Sequence, residues 1–179
     1  IPSLWHPPQV TPSPATAQSP PLVLPRESPA AQVSQVIGLA EFSVGYSRPA
    51  VNGRKVWGAL VPFDSVWRAG ANENTVLTAS TPFTVAGQRL PAGRYGLHMI
   101  PTATAWTIIL NRQSNAWGSF RYNPAEDALR FTVTPKPGEM TERLHYTFDE
   151  LRDDGVTLTL RWETLALPIV LGIDPDRVV

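Results

Sequence analysis

Apolar and polar residues alternate with a period of two along much of the chain. Phe42, Val44 and Tyr46 alternate with Ser43, Gly45 and Ser47. Leu129, Phe131 and Val133 alternate with Arg130, Thr132 and Thr134, and Leu144, Tyr146 and Phe148 with Arg143, His145 and Thr147. Val156, Leu158, Leu160 and Trp162 alternate with Thr157, Thr159 and Arg161. Successive side chains of a strand point to opposite faces, so each run describes a strand with one dry and one wet face, as in antiparallel sheets. Residues 106–110, WTIIL, are apolar at all but Thr107 and read as a more fully buried strand. Residues 165–171 read as another, with Pro168 marking an edge or a bulge, since proline donates no ladder hydrogen bond. Turn signals separate the runs at Asn52-Gly53, Ala86-Gly87, Pro91-Ala92-Gly93, Pro137-Gly138 and Asp154-Gly155. The last of these is the clearest hairpin. Helix is scarce: residues 54–60 suit one or two turns and residues 124–128 one. Eight to ten short strands predict an all-β fold, an antiparallel β-sandwich or jelly-roll-like barrel.

Composition divides this picture in two. Nine of the 19 prolines fall in residues 1–30, which therefore predict an extended, Pro-rich leader ahead of a single β-sandwich domain over 31–179. The leader also carries Leu4, Trp5, Leu22, Val23 and Leu24, which a plain spacer does not need. They form a candidate assembly segment that adds a strand to, or lies in a groove of, a neighbouring copy. Only 17% of the 179 residues are charged, a low share: either Ser, Thr, Asn and Gln supply the solubility, or surface is sheltered in a homo-oligomer or polymer such as a filament. Net charge is zero, with no basic footprint for nucleic acid. No apolar run approaches the length of a membrane span. Ile1 in place of Met reads as a processed start, and the expected location is extracellular or periplasmic, with a signal peptide already removed.

Candidate chemistry is sparse. There is no cysteine, no GxGxxG, no HExxH and no GxSxG, and His6, His98 and His145 lack metal-ligand spacing. No cofactor or metal is expected. Residues 66–75, VWRAGANENT, gather Arg68, Asn72 and Glu73, with Arg48 upstream. One reading is a polar pocket in which Arg48 and Arg68 bind an anion or orient Glu73, which serves as base or ligand. The other is a buried Arg–Glu and Asn network that ties a long loop to the sandwich. His98 follows Gly96 on the face opposite Tyr95, Leu97 and Met99, with room beside its imidazole. Trp117, Phe120 and Tyr122 form a loop patch that stacks on a sugar or a partner, or else caps the open end of the sandwich.

Several blocks carry a family resemblance. SPAAQVSQVIGL (28–39), VGYSRPAVNGRKVWGALVPFDSVWRAGANENT (44–75), LPAGRYGLHMIP (90–101), WTIILN (106–111), NAWGSF (115–120), DALRFTV (127–133) and LRWETLALPI (160–169) resemble the domain-of-unknown-function family numbered 2911. The resemblance implies an exported bacterial β-rich domain with no established activity, so no residue role transfers. The expected function is an extracytoplasmic structural or interaction module that self-associates through its leader, rather than an enzyme. The rivals are an enzyme or small-ligand protein using Arg48, Arg68, Asn72, Glu73 and His98, and a carbohydrate-binding module using Trp117, Phe120 and Tyr122.

Overall fold

The computed structural model describes residues 21–174. Ten strands follow one another: β1 (Ala30–Ile37), β2 (Ala40–Ser47), β3 (Thr75–Ala79), β4 (Phe83–Val85), β5 (Gln88–Leu90), β6 (Gly93–Ile100), β7 (Trp106–Asn111), β8 (Asp127–Val133), β9 (Lys136–Arg152) and β10 (Gly155–Gly172). They form two antiparallel sheets, one ordered β1-β2-β3-β6-β7-β8 and the other β5-β4-β10-β9. The all-β expectation holds. So does the Asp154-Gly155 hairpin, which joins β9 to β10 with Gly155 opposite Arg152.

Register explains the alternation. Val44, Leu77 and Tyr95 lie side by side across β2, β3 and β6. Leu97, Leu110 and Leu129 continue across β6, β7 and β8, as do Met99, Ile108 and Phe131. These rows face Leu144, Tyr146, Leu158, Leu160 and Trp162 of the second sheet in one hydrophobic core. Four indoles lie at its centre. The Trp57 ring sits 4.8 Å from Trp106, 5.5 Å from Trp162 and 5.6 Å from Trp67, each edge to face. Residues 49–51 pair with β9 through Leu144 N–H to Pro49 O (3.0 Å) and Val51 N–H to Glu142 O (2.9 Å), stitching one sheet to the other.

Three local expectations change. Residues 54–60 form turns rather than helix, because Gly58 adopts φ +81° and the chain reverses so that Val61 N–H returns to Val56 O. Residues 124–128 contain only the 3₁₀ turn Pro124–Glu126, capped by the Asn123 side chain on Ala125 N–H. Residues 165–171 are no separate strand but the continuation of β10 past an irregularity at Glu163, where φ is +55° and the register shifts on both sides. Pro168 lies between the last pairing to β9, at Ala166, and the first to β4, at Leu171. Among the described residues no helix is long and apolar enough to cross a membrane.

Candidate functional site

The outer face of the six-stranded sheet is half covered and half open. Over β6–β8 it is covered by the connection from Asn111 to Asp127, which buries His98 and Ile109 on that side. Over β1–β3 it is open, and a groove of about 500 Å³ runs along the boundary. Two rows across the strands make its floor: Gln32, Gly45 and Val76, then Ser43, Thr78 and Arg94. Gly45 leaves the floor bare, with no heavy atom within 4 Å of where a Cβ would stand. Gly96 serves the opposite purpose. A Cβ there would come within 2.4 Å of Gln113 O, so only glycine lets the covering connection lie on the sheet.

The groove wall is the segment 114–117, docked on residues 72–74. Asn74 N–H donates to Ala116 O (3.0 Å) and Gly118 N–H to Asn72 O (3.0 Å). The Asn74 side chain completes the ladder, donating to Gly118 O (2.7 Å) and accepting from Ala116 N–H (2.9 Å). This pairing stands Trp117 at the rim, with its side chain 53% exposed. Arg26 reaches across from the leader. Its Nη1 contacts both Glu73 oxygens, at 2.6 and 2.8 Å, and its guanidinium sits 5.9 Å from the Trp117 ring. The Arg26 hydrogen bond holds the Glu73 carboxyl below its usual pKa. Such an exposed pair adds little stability; the backbone bridge between Glu73 and Trp117 is what keeps Trp117 at the rim.

Beneath the covering connection lies a polar network. His98 Nδ1 and Ser119 Oγ are 2.8 Å apart, and the Tyr122 ring is 5.1 Å from the imidazole. Tyr122 donates its hydroxyl to Asp127, which also accepts from Asn111 (2.9 Å) and Arg130 (2.6 Å). Burial tends to raise the Asp127 pKa, but hydrogen bonds from Arg130, Asn111 and Tyr122 outweigh it and hold the carboxyl below its usual value. Burial lowers His98 from 6.5 to about 4. The histidine is thus neutral at pH 7, and a base this weak is poorly matched to deprotonating Ser119.

The same shift predicts an acid weakness. In the unfolded chain the imidazole takes up its proton near pH 6.5, but in the fold only near 4. Stability present above pH 6.5 is therefore lost as the pH falls toward 4, by about 3 kcal/mol in all. Urea midpoints are expected to drop across that window, above the range in which Asp127 titrates. His98→Gln should flatten the drop, and an unchanged slope in that variant would place its origin elsewhere.

A family model described as a protein of unknown function (DUF2911) matches residues 28–171. The chain belongs to the DUF2911 family. No curated protein and no solved structure matches it.

In this DUF2911 chain the five residues of the expected polar pocket do not converge. Arg48 donates to Leu144 O (2.9 Å) and Asn72 to Ser28 O (3.1 Å), so both pin backbone. Glu73 faces the groove and pairs with Arg26, not with Arg48 or Arg68, so the expected buried Arg–Glu network gives way to an exposed pair. The amide clamp of that network is supplied by Asn74. Arg68 and His98 meet instead on either side of Ser119. The room expected beside His98 is filled, because Gln113 O occupies the space over Gly96. The aromatic patch divides as well: Trp117 edges the groove, Phe120 is 82% exposed on the far side of the turn, and Tyr122 turns inward onto Asp127. Leu22 and Val23 are 85% exposed and Leu24 71%, while residues 26–29 are tied to their own chain through Arg26, Glu27 O, Ser28 O and Pro29 O. Leu4 and Trp5 lie outside the described residues. Ser119, Asn111, Asp127 and Arg130 had no sequence signal, because a long connection and the irregular β7–β8 pairing bring them together.

Proposed function

We propose that the domain is a carbohydrate-binding module whose groove on the six-stranded sheet takes a saccharide. One observation carries this reading: a polar, open groove with a half-exposed tryptophan fixed at its rim and a glycine floor. A sugar presents hydroxyls around an apolar ring face. Gln32, Ser43, Thr78 and Asn115 supply neutral donors and acceptors, and Trp117 supplies a rigid apolar face. The groove volume suits one to a few sugar units. Arg94 forms no ion pair among the described residues and supports a preference for acidic sugars.

A glycan array followed by titration calorimetry on its hits tests the reading. Trp117→Ala is expected to weaken binding about 10- to 30-fold, as loss of an aromatic anchor does, with little change in melting temperature. An array without hits, or a hit indifferent to Trp117→Ala, defeats the proposal.

The exposed run Leu22–Leu24 favours a second reading, in which the leader joins copies of the chain into an oligomer. Light scattering on a chain lacking residues 1–24 separates the two, because glycan binding should survive that deletion while self-association should not.

A further inference from the structure

The turn that carries Trp117 has a second face. There Arg68, Ser119 and Phe120, with Val66 and Trp67, line a crevice of about 180 Å³. Trp67 points into the core and pairs with Met99 through backbone bonds of 2.7 and 2.8 Å, so the next side chain, Arg68, is turned to the outer face. Its Nε is buried with no hydrogen-bond partner, and Arg68 forms no ion pair among the described residues. Burial lowers its pKa, yet a guanidinium stays charged at any physiological pH. A cation partly withdrawn from water without an acceptor is costly, and buried polar groups are ordinarily satisfied. Trp57 Nε1 is also buried and unpartnered, but it is enclosed among indoles, whereas Arg68 borders open space.

We propose that this crevice is a second binding site, for a single oxyanion group such as a carboxylate, sulfate or phosphate. Arg68 supplies the charge and the planar fork that matches two oxygens of such a group. Ser119 supplies a hydroxyl on the opposite wall. His98 Nδ1 lies 2.8 Å from Ser119 Oγ, and in the site proposed the neutral imidazole carries its proton on Nδ1 and donates to Oγ, which leaves the serine proton for the anion. Gly118 makes the approach possible: it sits at φ +63°, and a Cβ there would lie 3.0 Å from Arg68 Nη1. The crevice is small, about 180 Å³, which suits one oxyanion group. Phe120 adds an exposed apolar wall, which favours a carboxylate on an aromatic or aliphatic stem over the bare inorganic ions.

Inorganic phosphate, sulfate and benzoate, titrated against chloride at matched ionic strength, test the proposal through isothermal titration calorimetry and thermal shift on the whole chain. Saturable responses are expected, with benzoate the tightest. Arg68→Lys should weaken them at least tenfold, Ser119→Ala severalfold, and Trp117→Ala not at all. Arg68→Met should abolish them yet melt no lower than the parent in anion-free buffer, because it removes an unpaired charge. The absence of any saturable response beyond chloride overturns the site, as do unchanged affinities in both Arg68→Lys and Ser119→Ala. Since Trp117→Ala addresses only the groove, failure of this site and failure of the saccharide reading are read separately.

Discussion

Gly45→Ile is expected to abolish saccharide binding, by 100-fold or more, while leaving the fold as stable as the parent or more so. The two effects have separate causes. Gly45 lies mid-strand in β2 between Gln32 and Val76, outside the left-handed region of φ, and nothing stands within 4 Å of its missing Cβ. A Cβ therefore meets no clash, and a β-branched side chain suits a strand better than glycine, which costs about 0.5–1 kcal/mol there. The same side chain rises from the groove floor into the volume a sugar ring would fill. Calorimetry with an array hit should show the loss, and Gly45→Ala should fall between parent and isoleucine variant. A dissociation constant within threefold of the parent's in Gly45→Ile would move the ligand off this face altogether. This variant is more decisive than Trp117→Ala, because it fills the site rather than removing one contact from its rim.

Nothing in the sequence around Gly45 announces that role. It reads there as one polar-side position of an alternating strand, which is correct, but whether an outward face is open or covered depends on a connection some 70 residues later. The strands were legible because each carries its own evidence: Phe42-x-Val44-x-Tyr46 needs no partner to reveal a dry face. Residues 106–110 were legible as doubly buried for the same reason, although what buries Ile109 from outside was not. The site depends on long-range pairings with no local signature. Asn74 looks like any other amide in VWRAGANENT until the segment 116–118 is laid beside it. Glu73 suggested Arg48 or Arg68 as a partner by proximity in sequence, yet Arg26 reached it from the leader. Residues 54–60 misled in another way: their apolar spacing suits a helix, but Gly58 at φ +81° turns the chain and Trp57 enters the aromatic cluster.

That cluster sets the largest stability effect. Trp162→Ala is expected to cost about 3–5 kcal/mol, the range for deleting a large buried aromatic side chain. Trp162 is 1% exposed in β10, with Trp57 5.5 Å and Trp67 6.1 Å away, and its indole N–H donates to Glu142 O at 3.2 Å. Alanine leaves a cavity bounded by two rigid indoles that have no smaller shape to collapse into. It also removes one of the two hydrogen bonds that the Glu142 carbonyl accepts, leaving the one from Val51 N–H. A domain of this size typically has only about 5–15 kcal/mol in total, so the variant should melt roughly 6–20 °C lower. Trp162→Phe fills part of the cavity and should recover half or more of the loss. The contrast with Trp117→Ala is the informative part: one tryptophan variant should shift the denaturation midpoint and the other only the binding curve. The two are linked in one direction, since Trp67 packs on Trp162 and the loop carrying Arg68, Glu73 and Asn74 begins from Trp67. Weakened binding in Trp162→Phe without a matching fall in stability would show that the cluster positions that loop as well as holding the sheets together.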